Sequence, residues 1–320
     1  MFLDKTIYGG AFVDESANLD DAMIECAVGV ERAWGEMMLE CCAMEFKAYQ
    51  ESGDIDAVNE GGIIESIKKW FKKLWNAIKS FFSKAVSVIR SKTMTCKQYY
   101  DKYKKDIDAG VPKIKDFKGF KYDLNYKNDA ATNLATKVSD ELDKFVAIEK
   151  DEDAKKAIIK AIATAAKFEE ADKTEDLMKN ARKKWQGDTT DKVTLDVEYM
   201  NSAISNIKSD LTVKNTALRM KISENILKEM EVKAEKTYKE DENDDAEKSK
   251  DKNRKISFIR TIVSTVLNLQ TKYSKMLSAE TDQTMAIMRA AITASKKKDE
   301  GAYISTNEAI EYLRSQGIEF

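Results

Sequence analysis

The stretch "GGIIESIKKWFKKLWNAIKSFFSKAVSVIRSK", residues 61–92, carries two Trp, three Phe and seven Lys in one helical pattern. Placed at 100° steps, Ile63, Ile64, Ile67, Trp70, Phe71, Leu74, Trp75, Ile78, Phe81, Phe82, Val86 and Ile89 fill an arc of roughly 160°, wider than the stripe a core-facing helix needs. Lys69, Lys72, Lys73, Lys79, Lys84 and Arg90 take the complementary arc, with Lys68 at its border. Three uses fit this pattern. The helix can be buried in the protein's own core, lie in the surface of an anionic bilayer, or dock in a partner's groove. The residues that would make membrane or partner contact are Ile67, Trp70, Phe71, Leu74, Trp75, Ile78, Phe81 and Phe82, flanked by Lys68, Lys69, Lys72 and Lys73. Each cation near an anionic leaflet contributes on the order of 1 kcal/mol before screening.

What precedes the segment bears on the choice. Residues 1–62 hold fourteen acids and three bases, net −11, whereas residues 63–92 hold eight bases and one acid, net +7. Leu19, Met23, Cys26, Val30, Ala33, Met37, Cys41, Met44 and Ala48 recur at threes and fours, predicting a helix from about Asn18 to Glu51. Its acids Asp21, Glu25, Glu31 and Glu36 point away from that face. An acidic and a basic amphipathic helix joined by a Gly-containing loop are expected to form an antiparallel hairpin, apolar faces together and opposite charges at the flanks. On this balance the sequence favours a covered helix.

Composition narrows the function classes. The 320 residues carry 54 basic and 56 acidic side chains, so bulk charge points to neither nucleic acid nor an acidic ligand. Histidine is absent, which removes the commonest general acid–base group and metal ligand. No phosphate loop, nucleophile elbow or metal motif occurs, so neither an enzyme nor a cofactor is expected. Cys26, Cys41, Cys42 and Cys96 lack metal-ligand spacing, and Cys26 and Cys41 are read as small buried hydrophobes. The nearest nucleic-acid signature, "YYDKYKKDI" from Tyr99, is diluted by Asp101 and Asp106, and its tyrosines are expected to pack. The N-terminus lacks the form of a signal peptide, and no apolar run is long enough for a transmembrane helix.

One proline and twelve glycines leave few helix breakers, and the fold class expected is all-α. The organisation expected is an N-terminal amphipathic helical hairpin over 1–92, an aromatic connector over 93–127, and an elongated helical bundle or coiled-coil-like hairpin over 128–320. In the connector, Phe120, Tyr122, Leu124 and Tyr126 alternate with polar residues, a strand-like signal without a partner strand. Helices are expected around Leu134–Phe145, around Ile158–Ala166 with a continuation or kink near Asp172, and over Val193–Leu211 before a polar interruption at Lys214 and Asn215. Residues 239–255, with seven acids and six bases, read as a solvated loop at a hairpin tip. Beyond it, a 3–4 rhythm from Ile256 to Lys296 predicts a long helix, and its polar members Glu280 and Gln283 are candidates for fixing register or marking a wet spot. Ser305 and Glu308 form a capping box for a short terminal helix.

Order and composition also carry a resemblance. The acidic N-terminal helix, the segment "IKKWFKKLWNAIKSFFSK", the connector "FKGFKY" and the Lys-rich helical remainder resemble uncharacterised virion structural proteins of large tailed bacteriophages, over about residues 1–125. The resemblance implies a non-enzymatic particle component, internal or ejected with DNA, made in the host cytoplasm. It implies as partners other virion proteins or further copies of the chain, with an anionic membrane as the other partner class.

Overall fold

The computed structural model describes residues 10–52, 60–114, 117, 119–122, 134–187, 195–208, 211–239 and 246–296. Nine α-helices account for nearly all of them: α1 (Gly10–Ser52), α2 (Glu60–Gly110), α3 (Leu134–Asp140), α4 (Leu142–Val146), α5 (Asp151–Ala165), α6 (Thr174–Gln186), α7 (Val197–Lys208), α8 (Leu211–Lys239) and α9 (Ala246–Lys296). The described residues contain no strand, and the class is all-α.

The segment that dominates the sequence becomes the middle of the fold. α2 runs for 51 residues, about 75 Å at the usual helical rise, and packs against α1, α8 and α9. Its direction relative to each neighbour follows from paired positions. Ser66 meets Glu40, Lys73 meets Glu36 and Lys84 meets Glu25, so α1 lies antiparallel to α2. Lys68 meets Glu235 on α8, and Tyr100 meets Asn201 on α7, so that arm is also antiparallel. Lys92 meets Ser278, and Gly110 abuts Ala291, so α2 and α9 run the same way. The shorter helices α3–α6 cover the end of the bundle formed by α8 and the first half of α9.

Several local expectations change. α2 does not stop near Lys92; it continues through the predicted connector to Gly110, bending at Tyr103 (φ −113°, ψ 18°), where the only proline of the sequence follows two turns later at Pro112. Phe120 and Tyr122 belong to neither a helix nor a strand, and residues 123–133 lie outside the described residues. The side chain of Gln283 takes the partner strand's place: the Phe120 N–H donates to its Oε1 (2.9 Å), and its Nε2 donates to the Phe120 carbonyl (2.8 Å). Both backbone groups are thereby satisfied without a ladder.

The charge-rich run is also reassigned. Residues 246–255 belong to α9 and not to a solvated loop, while 240–245 lie outside the described residues. Arg254 explains why such a polar sequence is held: its guanidinium bonds Asp151 (2.6 Å) and the carbonyls of Val146 (2.9 Å), Ile148 and Glu149 (3.0 Å). Those carbonyls lie at the C-terminal end of α4, where no helical N–H is available to them. Lys255 adds an ion pair to Asp143 (2.8 Å), and Lys252 is buried. Elsewhere, the expected continuation near Asp172 is a break between α5 and α6, and Lys214 and Asn215 lie inside α8. The Ser305 capping box lies outside the described residues.

The apolar interior falls into two clusters. The larger joins α1, the first half of α2, α3–α6, α8 and α9 up to Leu277. The smaller joins Cys96, Tyr100 and Ile107 of α2 with Met200 and Ile204 of α7 and with α9 from Met285 onward. α1 and the first half of α2 thus share an apolar cluster with α3–α6, α8 and α9.

Gly110 shows how tightly the second cluster closes. A Cβ there would fall 1.8 Å from the Ala291 carbonyl oxygen, a backbone atom with no room to yield. Gly110→Ala is expected to destabilise the protein by about 1–3 kcal/mol through forced separation of α2 and α9, read as a lower urea midpoint. An unchanged midpoint would contradict the close helix contact.

Candidate functional site

The amphipathic segment is where function was sought, and the structure places its two faces differently. Ile67, Trp70, Phe71, Leu74, Ile78, Phe81 and Phe82 are buried, none more than 2% exposed, and Trp75 is half-buried. Trp70 packs edge-on against Trp34 of α1 (5.0 Å between ring centroids) and tilts against Phe71 (4.5 Å). Phe81 and Phe82 pack edge-to-face at 5.1 Å. Contacts of this kind add about 0.5–1.5 kcal/mol each beyond area burial. The indole N–H of Trp70 finds no acceptor among the described residues.

The cationic face stays at the surface. Lys68 lies 3.6 Å from Glu235, Lys69 3.6 Å from Glu65, and Lys73 2.6 Å from Glu36, while Lys72 is exposed. Lys84 reaches Glu25 at 2.6 Å. The bonds from Lys73 and Arg32 hold the Glu36 carboxyl below its usual range. Exposed pairs of this type contribute less than about 1 kcal/mol each. They align α1 on α2, whereas the apolar face holds it there.

A second constellation lies between the two apolar clusters, and most of it escaped sequence reading. Lys92 and Thr93 of α2, Thr216, Arg219 and Ser223 of α8, and Gln270, Ser274, Ser278, Thr281 and Thr284 of α9 are all buried. Most of the hydroxyls are satisfied within their own helices. Thr93 donates to Ile89 O (2.6 Å), Ser223 to Arg219 O (2.9 Å), Ser274 to Gln270 O (3.2 Å), Thr281 to Leu277 O (3.2 Å) and Thr284 to Glu280 O (2.9 Å). Such back-bonding lets a hydroxyl enter an interior without a partner from another helix. The charged members need partners. Lys92 Nζ donates to Ser278 Oγ (2.9 Å) and to both Asp282 oxygens (3.0 and 2.8 Å), and the Arg219 guanidinium stacks 3.7 Å above the Tyr273 ring.

Of the two residues the heptad rhythm singled out, Gln283 clamps Phe120, and Glu280 stands in an environment that resists its charge. Burial pushes the Glu280 carboxyl up to about 7. Burial also raises Asp282, and Lys92 opposes that rise. Tyr199 and Tyr122 are raised chiefly by burial, with Glu280 adding to both. On α9 the polar members Glu280 and Gln283 signalled this belt; on α2 the signal is Lys92 itself, which falls five turns after Leu74 in the middle of the apolar arc and away from the other lysines.

Other groups offer less chemistry. Cys26 and Cys96 are buried free thiols, pushed by burial to about 11 and about 12, while Cys41 is half-buried and Cys42 exposed. A charged surface cleft between α5 and α6 brings Glu169, Glu170 and Asp172 together, but Lys160 and Lys183 already bridge these acids. Among the described residues no group of three or more His, Cys, Asp or Glu is arranged to hold a metal ion, and no helix is long and apolar enough to cross a membrane. Of the "YYDKYKKDI" tyrosines, Tyr100 is buried, and Tyr99 and Tyr103 pack against the second cluster and each other (4.9 Å). Comparisons with protein-family models, curated proteins and solved structures return no match for this chain.

Two outcomes follow for the belt. Lys92→Met leaves Asp282 without its cation and should cost on the order of 2 kcal/mol, less than for a sealed pair because Asp282 keeps some water contact. Adding Asp282→Asn should recover part of that loss; urea midpoints for the four proteins of the cycle measure it. For Glu280 the sign runs against the usual carboxylate. The folded state holds the proton more tightly than the unfolded chain, so stability falls as pH rises from the ordinary value of 4.5 through about 7. Glu280→Gln should flatten that slope and stabilise the protein at about pH 8 by about 1–3 kcal/mol, as read from urea midpoints at about pH 5 and about pH 8.

Proposed function

We propose that the chain is a non-enzymatic structural protein that works through helix–helix association, and that its setting is a bacteriophage virion, as an internal or ejected component. The observation that carries the first part is the position of the Ile67–Phe82 face. It is the surface on which α1, α8 and α9 are assembled, and so it supports an architectural use of the most distinctive segment in the sequence. The absence of histidine in the whole sequence is consistent with a role without catalysis. The virion setting rests on the resemblance over residues 1–125; detection of the chain by mass spectrometry in purified particles would test it.

The runner-up reading inserts the same helix into an anionic bilayer. It draws on the exposed Lys68, Lys69, Lys72 and Lys73 and on the modest strength of the surface ion pairs that tie Lys68 to α8 and Lys73 to α1. In that case removal of residues 1–52 raises liposome binding.

One set of variants separates the two. Under the architectural reading, Trp70→Ala, Phe71→Ala and Trp75→Ala together should abolish cooperative unfolding. The changes at the buried Trp70 and Phe71 cost about 3–5 kcal/mol each and that at the half-buried Trp75 less, against a total stability of about 5–15 kcal/mol. The wild type should not co-sediment with anionic liposomes. A triple variant that keeps its thermal transition and loses liposome binding would reverse the assignment.

A further inference from the structure

The outward crest of α1 is apolar. Ile24, Val28 and Leu39 are 62%, 61% and 73% exposed, and Met38 and Cys42 are exposed beside them. They lie on the side of α1 away from Ala22, Cys26, Ala33 and Met37, which are buried against the rest of the bundle. The other exposed large apolar side chains among the described residues, Met94 and Val232, stand singly and need no explanation. The crest is different because it is ordered. Ile24, Val28, Glu31, Gly35, Met38 and Cys42 are spaced four, three, four, three and four residues apart, the rhythm of a coiled-coil seam.

We propose that this crest pairs with the same crest on a second copy of the chain, the two α1 helices antiparallel about a two-fold axis near Ala33. The inference rests on the association reading above and names its partner. Three features point to a second copy in this register. First, the pairing is complementary in size: Ile24 lies opposite Cys42, Val28 opposite Met38, and Glu31 opposite Gly35. Second, Glu31 is the one charged member of the seam, and the space where a Gly35 Cβ would stand is open, with nothing within 4 Å. The antiparallel register therefore gives the Glu31 stem room while its carboxylate keeps Arg260. Parallel pairing in register would set Glu31 on Glu31 inside the interface, a like-charge contact in a drying environment. Third, the flanking acids do not repel the second copy. Glu25 is paired with Lys84, Glu31 with Arg260, and Glu36 with Lys73 and Arg32. An isologous contact of this kind closes as a dimer and does not propagate.

The full-length protein tests this by sedimentation and by thiol cross-linking. The wild-type mass should double with rising concentration, and Val28→Glu with Met38→Glu should hold it monomeric at unchanged helical circular dichroism. Ile24→Cys should place its thiol opposite Cys42 of the second copy, so mild oxidation gives a covalent dimer that Cys42→Ser abolishes. A folded wild-type monomer throughout the series overturns the dimer while leaving the architectural role of α2 to its own variants. A Cys42–Cys42 cross-link in the wild type, or a dimer that survives the glutamates, overturns the register and the surface. Liposome binding by a monomer that is lost in the same glutamate variant assigns the crest to a bilayer and also overturns the proposal.

Discussion

A helix that is apolar over nearly half its circumference cannot be covered by one neighbour, and this requirement organises the whole molecule. α2 buries Ile67, Phe71, Leu74, Ile78, Phe81, Phe82, Ala85 and Ile89 to 2% exposure or less. Fully burying a side chain of this size is worth about 1.5–3 kcal/mol, so this face is a main contributor to the core. Covering such an arc takes helices on several sides, which α1, α8 and α9 supply. Their directions are read from the paired positions: α1 and α8 run antiparallel to α2, and α9 runs parallel to it. The ion pairs at the edges then choose among registers that the apolar faces alone would leave close in energy.

The belt of buried polar residues limits that freedom further. Apolar seams of similar side chains can slide by a heptad, whereas Lys92 has one place where it meets Ser278 and Asp282 together. A shift of α2 along α9 would leave the buried Lys92 ammonium without Ser278 and Asp282, a cost that apolar contacts in another register would have to offset. The same belt divides the interior, with Leu277 ending one cluster and Met285 opening the other. Gln283 extends the arrangement outward by holding Phe120, so the chain leaving α2 is pinned to the helix it must later pack against.

How much of this could be read beforehand depended on whether the signal was local. The all-α class, the period of α1 and α2, and the long apolar rhythm of α9 are written at threes and fours, and they are what the residues form. The helical spacing of Tyr99, Tyr103 and Ile107 and the stop at Gly110–Pro112 were legible; the continuity of α2 through Thr93 and Cys96 was not, because its partners on α7 and α9 are a hundred or more positions away. The run 239–255 looked solvated because composition counts charges and cannot see that Arg254 meets three carbonyls at the end of α4. For the candidate site, the identity of the apolar face was legible. What covers it, and which residues meet Lys92, depend on tertiary contacts that no window of sequence contains.

The net −11 and net +7 of the first two segments show why a wheel diagram of residues 61–92 points in two directions. A basic amphipathic helix signals affinity for a negative surface, and a bilayer is only one such surface. Here the acids of α1 provide another, at a distance set by the fold: Glu25 and Glu36 reach the lysines of α2, and Glu31 reaches Arg260 of α9. Pairing Lys73 and Lys84 inside the chain weakens the field of that cationic face, because paired charges present little field beyond the screening length of about 10 Å. It also moves the unsatisfied apolar surface. With the face of α2 enclosed, the exposed hydrophobic side chains that remain in order are those on the far side of α1, neutralised at its flanks by the same ion pairs. The segment most suggestive of binding thus serves as the core, and its cover becomes the surface that a partner would meet.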